Sequence, residues 1–314
     1  MIREKRSDSK FTKRFLAVVR YELLWNIRKK KFLGMVIVAF VFATLSLVLP
    51  VILSNIINQS LTQNPDYVIS SSTMGGLVMF LFAVVTVMNS ISGEFESGSI
   101  VPLLTKPVSR TMVFFGKVLA AFVMLLFAYS IVFVYMAIGG TIIYGPQNNL
   151  HLVPLALFGS ILSTFVWIAI VLAIGSISKS SLIAALGAFG IFIALFISSP
   201  IVSLFSGQAW VLNFVPGSGA SGYIKGLGQQ TPYTPGIGVS TGTDSIAANL
   251  INYILYPSSN VTFFKIRFEP GQPGQPYSMI ELYSEPLPIV LLRSIIVSVA
   301  YILVFMFVSW FFLR

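Results

Sequence analysis

The 314-residue chain has no cysteine, a single histidine and few charged residues. The absence of cysteine excludes disulfides, thiolate catalysis and metal sites built on cysteine. The lone histidine, His151, supplies too few ligands for a metal centre. Charged residues are 10% of the chain and apolar residues 56%, whereas soluble proteins carry about 25% charge. This composition places the chain among membrane proteins.

Long stretches without charge predict six transmembrane helices. The first runs from Phe32 to Pro65, more than the roughly 20 residues that cross a ~30 Å hydrocarbon core. It is also too long for the apolar region of a signal peptide, so we interpret it as an uncleaved first span. Turn residues and charges then place the six spans at 32–57, 75–92, 112–143, 154–176, 182–205 and 289–313.

The distribution of lysine and arginine predicts the orientation. The six-span layout puts 16 of these cations inside and 4 outside, and 11 of them precede Phe32. Positive charge marks the cytoplasmic side, so both termini are predicted inside a multi-pass protein of the plasma membrane. The same cations are interpreted as contacts with the lipid bilayer, and no nucleic acid is expected as a partner.

The predicted fold class is an all-α polytopic membrane protein with four parts. Residues 1–31 form a cytoplasmic tail with an interfacial helix, and residues 32–206 hold spans one to five. An extracellular α/β domain occupies 207–287, and span six occupies 288–314. The two N-x-[ST] sequons, at Asn58 and Asn260, both fall outside and are candidate glycosylation sites.

Three local patterns stand out in the extracellular segment. Residues 243–255 predict a capped amphipathic helix whose apolar face holds Ala247, Leu250, Ile251 and Ile254. Residues 261–268 and 279–283 predict a hairpin. The G-x-G-x-x-G pattern at 217–222 has no preceding strand and opens no βαβ unit, so it does not predict a dinucleotide site.

Residues 11–27 predict an amphipathic helix on the inner leaflet, with basic and apolar residues on opposite arcs. Glu22 lies inside the apolar arc, where a carboxylate is costly without a partner. Two interpretations stay open. The carboxylate pairs with a neighbouring arginine, or it docks against another cytoplasmic element.

The segment after span two has an unusual mixture of residues. Four apolar side chains, at Ile100, Val101, Leu103 and Leu104, lie between two carboxylates and two cations. A simple linker between spans does not require apolar side chains flanked by charged ones. The pattern is typical of a short surface helix that is presented to a soluble partner.

The same segment resembles the cytoplasmic signature of ABC-2 type permeases. The resemblance is carried by Glu94 and Glu96, Gly98-Ser99-Ile100, Leu103-Leu104, Pro107-Val108-Ser109-Arg110 and Gly116-Lys117, together with Arg20-Tyr21-Glu22-Leu23-Leu24 in the N-terminal helix. One departure is Ser99, where the family usually has threonine. The six-span layout also matches, and the extracellular segment is longer than in the simplest members.

The resemblance implies a half-transporter. Two permease chains would pair as a homodimer or heterodimer, and each would bind a separate ABC ATPase through a coupling helix at 94–105. The cofactors ATP and Mg²⁺ would then be bound by that partner and not by this chain. The implied ATPase contacts are Glu22, Glu94, Glu96, Gly98, Ile100, Leu103, Leu104, Lys106 and Arg110.

The residues also indicate that the chain has no energy source of its own. It contains no G-x-x-x-x-G-K-[ST] phosphate loop. The span interiors are expected to hold no Asp, Glu, Lys or His, residues that usually mark ion relays. Active transport would therefore need a partner.

Polar and small residues within the spans form a candidate translocation path, flanked by spans two and five at the interface between protomers. Its members are Thr86, Asn89, Ser90, Gly187, Gly190, Ser198 and Arg293. Hydrogen bonding between helices is the alternative interpretation for the polar members. For Arg293 the alternatives are snorkelling to the surface and a role at the exit mouth.

The predicted function is the permease subunit of an ATP-driven exporter, not itself an enzyme, for a substrate that the sequence does not identify. The first alternative is a non-transporting membrane scaffold or assembly factor. The second, a membrane-embedded enzyme, is disfavoured because the spans lack clustered carboxylates and histidine pairs.

Overall fold

Long apolar helices build a bundle that carries a small sheet domain at one end. The computed structural model describes residues 2–28, 30–56, 64–71, 75–96, 109–207, 209–227, 236–268 and 277–313. The α-helices of this part are α1 (Ile2–Arg28), α2 (Lys31–Ile56), α3 (Tyr67–Ser71), α4 (Gly76–Val87), α5 (Ser92–Glu96), α6 (Arg110–Tyr144), α7 (Val153–Ser178), α8 (Ser181–Phe205), α9 (Ile246–Leu255) and α10 (Leu287–Phe312).

Six of these segments are long and apolar enough to cross a membrane: α2, α4 continued by α5, α6, α7, α8 and α10. The six predicted spans are therefore confirmed, and the chain is a multi-pass membrane protein. Span two departs from a plain helix, because a non-helical turn at 88–91 separates α4 from α5. The ends that carry α1 and α5 are called cytoplasmic below, following the charge distribution.

The centre of the bundle is α7, the most deeply buried span. Its Trp167 lies edge-on to Phe80 of α4 and Phe192 of α8, with ring centroids 5.5 and 5.3 Å away. Phe80 and Phe192 in turn stack on each other at 4.6 Å. Edge-to-face and stacked aromatic pairs add to the apolar contact, so this cluster joins spans two, four and five.

The sheet domain has four antiparallel strands in the order β2-β1-β3-β4. They are β1 (Ser221–Lys225), β2 (Gly236–Ser240), β3 (Asn260–Phe268) and β4 (Tyr277–Pro286). The predicted hairpin is confirmed as β3 and β4, which extend beyond the predicted ends. The sequence did not predict β1 and β2, because these five-residue strands contain three glycines and little apolar alternation.

The predicted helix in this domain is also confirmed, as a 3₁₀ turn (Thr243–Ser245) that leads into α9. Its predicted apolar face is wrong at Ile254, which is 49% exposed. The face that packs on α7 and α10 is shifted toward the start of the helix. Its buried members are Ile246, Ala247, Asn249 and Ile251.

The lower part of the sheet domain enters the outer half of the bundle. We call residues 214–220 and 241–245 the ectodomain base. The Ser163 hydroxyl of α7 donates a hydrogen bond to the carbonyl of Thr243 (2.6 Å), and the Ser294 hydroxyl of α10 donates to the carbonyl of Thr241 (2.7 Å). Ser163 lies about 22 Å from the inner end of α7 at 1.5 Å per residue, within a ~30 Å core.

Backbone polar groups of the ectodomain base are satisfied inside the protein, as membrane depth requires. The Thr243 and Thr241 hydroxyls accept hydrogen bonds from the N–H groups of Gly217 (3.0 Å) and Ala220 (2.9 Å). Gly219 has φ +73°, and a Cβ there would lie 2.2 Å from the backbone nitrogen of Gly242. Glycines of the G-x-G-x-x-G pattern thus allow two backbone segments to touch.

Candidate functional site: a buried charge cluster at the cytoplasmic end

The N-terminal helix α1 packs along the cytoplasmic end of α6. A Cβ at Gly116 of α6 would lie 2.7 Å from Cγ1 of Val18, so glycine permits the close approach of the two helices. Between Phe11 and Arg28 of α1 the buried side chains are Val19, Glu22 and Asn26, which share one face at helical spacing. The face of α1 that meets α6 therefore places the carboxylate of Glu22 between Val19 and Asn26.

Lys117, the neighbour of Gly116, is the partner of that carboxylate. Its Nζ lies 2.5 Å from Oε1 of Glu22 and 2.7 Å from Oε1 of Glu94 on α5. Lys117 and Glu22 are each 6% exposed. One ammonium group thus joins three elements, α1, α5 and α6. We call Glu22, Glu94 and Lys117 the charge triad.

The triad depends on Lys117, which is its one cation. Ion pairs out of water are strong because the local dielectric is low, but each ion also loses its hydration. Removing Lys117 would leave two buried carboxylates without a cation, and breaking a buried pair in this way typically costs about 3–5 kcal/mol. The relative positions of α1, α5 and α6 are therefore fixed, because separating these charges would cost free energy.

Glu96, two residues after Glu94, connects α5 to span five. Its carboxylate accepts hydrogen bonds from the backbone N–H of Ser181 (2.7 Å) and from the Ser181 hydroxyl (2.6 Å). Ser181 is the first residue of α8, where unpaired N–H groups and the helix dipole favour an anion. The short helix α5 therefore contacts span three through one glutamate and span five through the other.

The turn at 88–91 separates α5 from the rest of span two. Asn89 and Ser90, two predicted path residues, lie in this turn. The Ser92 hydroxyl donates a hydrogen bond to the carbonyl of Met88 (2.5 Å) and so bridges the interruption. The regular hydrogen-bond ladder of span two is therefore interrupted between α4 and α5.

The structure settles how Glu22 is neutralised. The interpretation that it pairs with a neighbouring arginine is wrong, since its partner is Lys117 of span three. Glu22 instead contacts another part of the chain, the inner end of span three. The expectation that span interiors hold no lysine is also wrong, because Lys117 lies two turns inside α6 and is buried.

Contact of the predicted residues with an ATPase stays a prediction. Glu22 and Glu94 are directed at Lys117, Glu96 at Ser181, and Arg110 begins α6 with its side chain exposed. The other members lie outside the described residues: Gly98, Ile100, Leu103, Leu104 and Lys106.

The candidate path residues are not gathered at one place. Thr86 is buried within the protomer, where its hydroxyl donates a hydrogen bond to the carbonyl of Phe82 (2.6 Å) and contacts Met35 of α2. Gly187 faces Ile174 of α7, 3.4 Å from a Cβ built on it, whereas Gly190 faces open space. Ser198 is half-buried. A path along these residues stays a prediction.

At the outer end, Arg293 of α10 reaches a carboxylate of the sheet domain. Its Nη2 lies 2.8 Å from Oε2 of Glu285 on β4, and Nη1 donates a hydrogen bond to Oε1 at 3.2 Å. The Arg293 side chain thus connects span six to the sheet through an ion pair. Of the two sequons, Asn260 is exposed at the start of β3, and Asn58 lies outside the described residues. Glycosylation stays a prediction.

Sequence reasoning missed Asp244 in the ectodomain base. The Trp167 Nε1–H donates a hydrogen bond to its Oδ1 (3.0 Å), and Thr243 Oγ1 lies 3.3 Å from the same oxygen. Oδ2 lies over Gly76, where an added Cβ would be 2.5 Å away. The charge of Asp244 interacts electrostatically with Tyr129 of α6. Burial raises the pKa of Asp244 from 3.8 to about 6, against the opposing hydrogen bonds.

Asp244 predicts a pH-dependent stability. Because its pKa is raised on folding, the native state holds a proton between about pH 4 and 6 that the unfolded state has released. The stabilisation is therefore fully present below pH 4 and is lost as pH rises through 6, by up to about 3 kcal/mol. Thermal unfolding in detergent from pH 4 to 8 should show this loss in the native protein and not in Asp244→Asn.

The matched control for this measurement is Asp66→Asn, which changes an exposed aspartate. It should leave the pH dependence as in the native protein. Parallel curves for the native protein and Asp244→Asn would contradict the prediction.

Comparison with known families agrees with a multi-pass membrane protein. The family described as ABC-2 family transporter protein matches residues 16–313, nearly the whole chain. Comparison with curated proteins gives no significant match. In that family the membrane subunit is not itself catalytic, and an ABC ATPase partner is implied. The chain therefore belongs to the ABC-2 transporter family, as a membrane permease subunit.

Proposed function

We propose that this permease subunit is part of an ATP-driven exporter of the plasma membrane, which moves a still unidentified substrate with the energy of a separate ATPase. The observation that carries the proposal is the charge triad together with Glu96. These residues connect the cytoplasmic helices α1 and α5 to spans three and five. A cytoplasmic partner that moves α5 would therefore move two spans at once.

The movement of the ATPase reaches the spans through the contacts of the charge triad and Glu96. The ATPase binds the coupling segment 94–105 and displaces it when it closes on ATP. Glu94 passes the displacement to α6 through Lys117, and Glu96 passes it to α8 through Ser181. Buried ion pairs resist both separation and compression, whereas the turn at 88–91 lets α5 move relative to α4. Spans three and five then shift and open the path.

The experiment that tests the partnership is co-purification. Tagged protein is isolated in mild detergent, and the proteins that accompany it are identified and quantified. We expect a P-loop ATPase in about equal amount, lost when Ile100 and Leu103 are both replaced by aspartate, because the sequence predicts that the apolar residues of the coupling segment bind it. Ile254→Asp, at an exposed position of the sheet domain, is the control and should retain the ATPase.

Two outcomes would contradict the partnership. The permease could purify without any ATPase, which favours the alternative of a non-transporting scaffold. The ATPase could also stay bound to the double aspartate variant, which would place the docking surface elsewhere.

A second permease protomer is part of the same proposal, with the path between the two. The support comes from span five, where Gly190 presents an open surface to which another helix can come close. Because a side chain at Gly190 meets nothing within the protomer, Gly190→Leu should leave folding intact. We expect it to lower the dimer fraction several-fold, as measured by native mass spectrometry in mild detergent.

Gly34→Leu on α2 is the matched control, since Gly34 also faces open space. It should leave the dimer fraction unchanged. A dimer fraction in Gly190→Leu equal to that of the native protein would remove this face from the protomer interface.

A further inference from the structure

Asp244 connects three parts of the outer half of the bundle. Its carboxylate accepts a hydrogen bond from the Nε1–H of Trp167 in α7 (3.0 Å) and lies against Gly76, the first residue of α4. Its backbone N–H donates to the carbonyl of Gly217 (3.0 Å) within the ectodomain base. One residue therefore joins the ectodomain base to spans two and four.

This carboxylate lies at membrane depth. Trp167 is about 16 Å from the inner end of α7 at 1.5 Å per residue, within a ~30 Å hydrocarbon core. An ionisable group at this depth is costly in its charged form and usually has a function. Asp244 keeps part of its surface exposed, so protons can reach it.

The surroundings of the carboxylate supply no positive charge within the described part of the chain. Its side-chain partners, Trp167 and Thr243, are both neutral donors. The spans α4 and α7 contain no charged residue, and the one charged residue of α10, Arg293, is paired with Glu285. The titratable group that faces the carboxylate from α6 is Tyr129, which also brings no cation.

Two effects act on the charge of Asp244 in opposite directions. The N-terminus of α4 and the two hydrogen bonds favour the anion, whereas burial disfavours it because the carboxylate loses its hydration. Burial prevails and raises the pKa of Asp244. The neutral carboxyl group therefore fits the close contact with Gly76, and ionisation requires water to enter between α4 and the ectodomain base.

We propose that Asp244 is a proton-binding site that controls the closure of the ectodomain base. With the proton bound, the neutral carboxyl group packs against Gly76 and Trp167, and the base is sealed on spans two and four. When the proton leaves, the carboxylate recruits water, and the contact between the base and α4 loosens. The proposal concerns the permease alone and does not depend on an ATPase.

Trp167 reports directly on this site, because its indole N–H binds the carboxylate and its side chain is buried. Replacing Trp25, Trp210 and Trp310 by phenylalanine leaves it as the only tryptophan of the full-length protein. Quenching of its fluorescence by acrylamide, a neutral molecule, is measured in detergent from pH 5 to 8, with circular dichroism to show that the helices stay folded. We expect the quenching constant to be low at pH 5 and to rise several-fold through about pH 6.

Asp244→Asn keeps an oxygen that accepts the Trp167 N–H but carries no charge at any pH, so quenching should stay low throughout. Asp66→Asn, at an exposed aspartate, is the control and should keep the rise. Quenching that is constant from pH 5 to 8 in the single-tryptophan protein would overturn the proposal, and this result needs no variant of Asp244. An equal rise in Asp244→Asn would also overturn it, because another group would then be the one that titrates.

Discussion

Lys117→Met is expected to destabilise the protein by about 3–5 kcal/mol, because it leaves two carboxylates buried together without a cation. Methionine fills the space of the lysine stem, so the loss reports charge and not a cavity. Thermal unfolding in detergent measures the effect. The exposed pair of Lys225 and Glu281 supplies the control, since Lys225→Met should cost no more than about 1 kcal/mol.

Neutralising the whole triad separates its structural role from its coupling role. In the variant Glu22→Gln, Glu94→Gln, Lys117→Met no buried charge is left, so most of the lost stability should return. If Lys117→Met alone unfolds at the native temperature, the triad does not hold α1, α5 and α6 together, and the proposed transmission has no rigid link.

Gly159→Leu is the second substitution with a large expected effect, at the other end of the molecule. A Cβ at Gly159 of α7 would lie 2.6 and 2.7 Å from the backbone Cα and nitrogen of Ala247. Backbone atoms cannot avoid the new side chain by a change of rotamer, so α9 must move away from α7. We expect a loss of about 3 kcal/mol, at the upper end for overpacked sites, with faster proteolysis of the sheet domain.

Two controls make the Gly159 result specific. Gly34→Leu, at open space on α2, should leave unfolding unchanged. Ala247→Gly should not rescue Gly159→Leu, because the closest atoms belong to the backbone. Native stability in Gly159→Leu would show that α9 does not dock on α7 as described.

The six spans could be predicted because charge is scarce and its absence over 20 or more residues has one physical explanation in a membrane protein. The hairpin and α9 could be predicted because apolar periodicity and turn residues are local signals. The strands β1 and β2 could not, since their pairing depends on backbone contact between distant glycines such as Gly219 and Gly242.

The sequence predicted only part of the charge cluster. A carboxylate in an apolar arc predicted a partner for Glu22, but Lys117 lies 95 residues away along the chain, and no local pattern joins the two. The Gly116-Lys117 pair carried part of the family resemblance without revealing its role. In the structure, Gly116 allows α1 to pack closely on α6, and Lys117 forms an ion pair with Glu22 of α1. Asp244 was missed because acidic residues are common at the start of helices.

The most direct test of the central claim follows the outer surface while ATP acts on the inner one. Ser218→Cys, in the ectodomain base, reports on the outer end through its labelling rate with an impermeant maleimide. The permease and its ATPase are reconstituted in liposomes, with and without ATP and vanadate. A second sample combines Ser218→Cys with the neutral triad variant.

In the otherwise native complex, trapping the ATPase with ATP and vanadate should change the labelling rate at residue 218, because the triad and Glu96 pass the movement of α5 to spans three and five. In samples of the neutral triad variant to which the ATPase is bound and in which it hydrolyses ATP, the labelling rate should stay constant. An equal change in both samples would show that the charge triad does not transmit the movement.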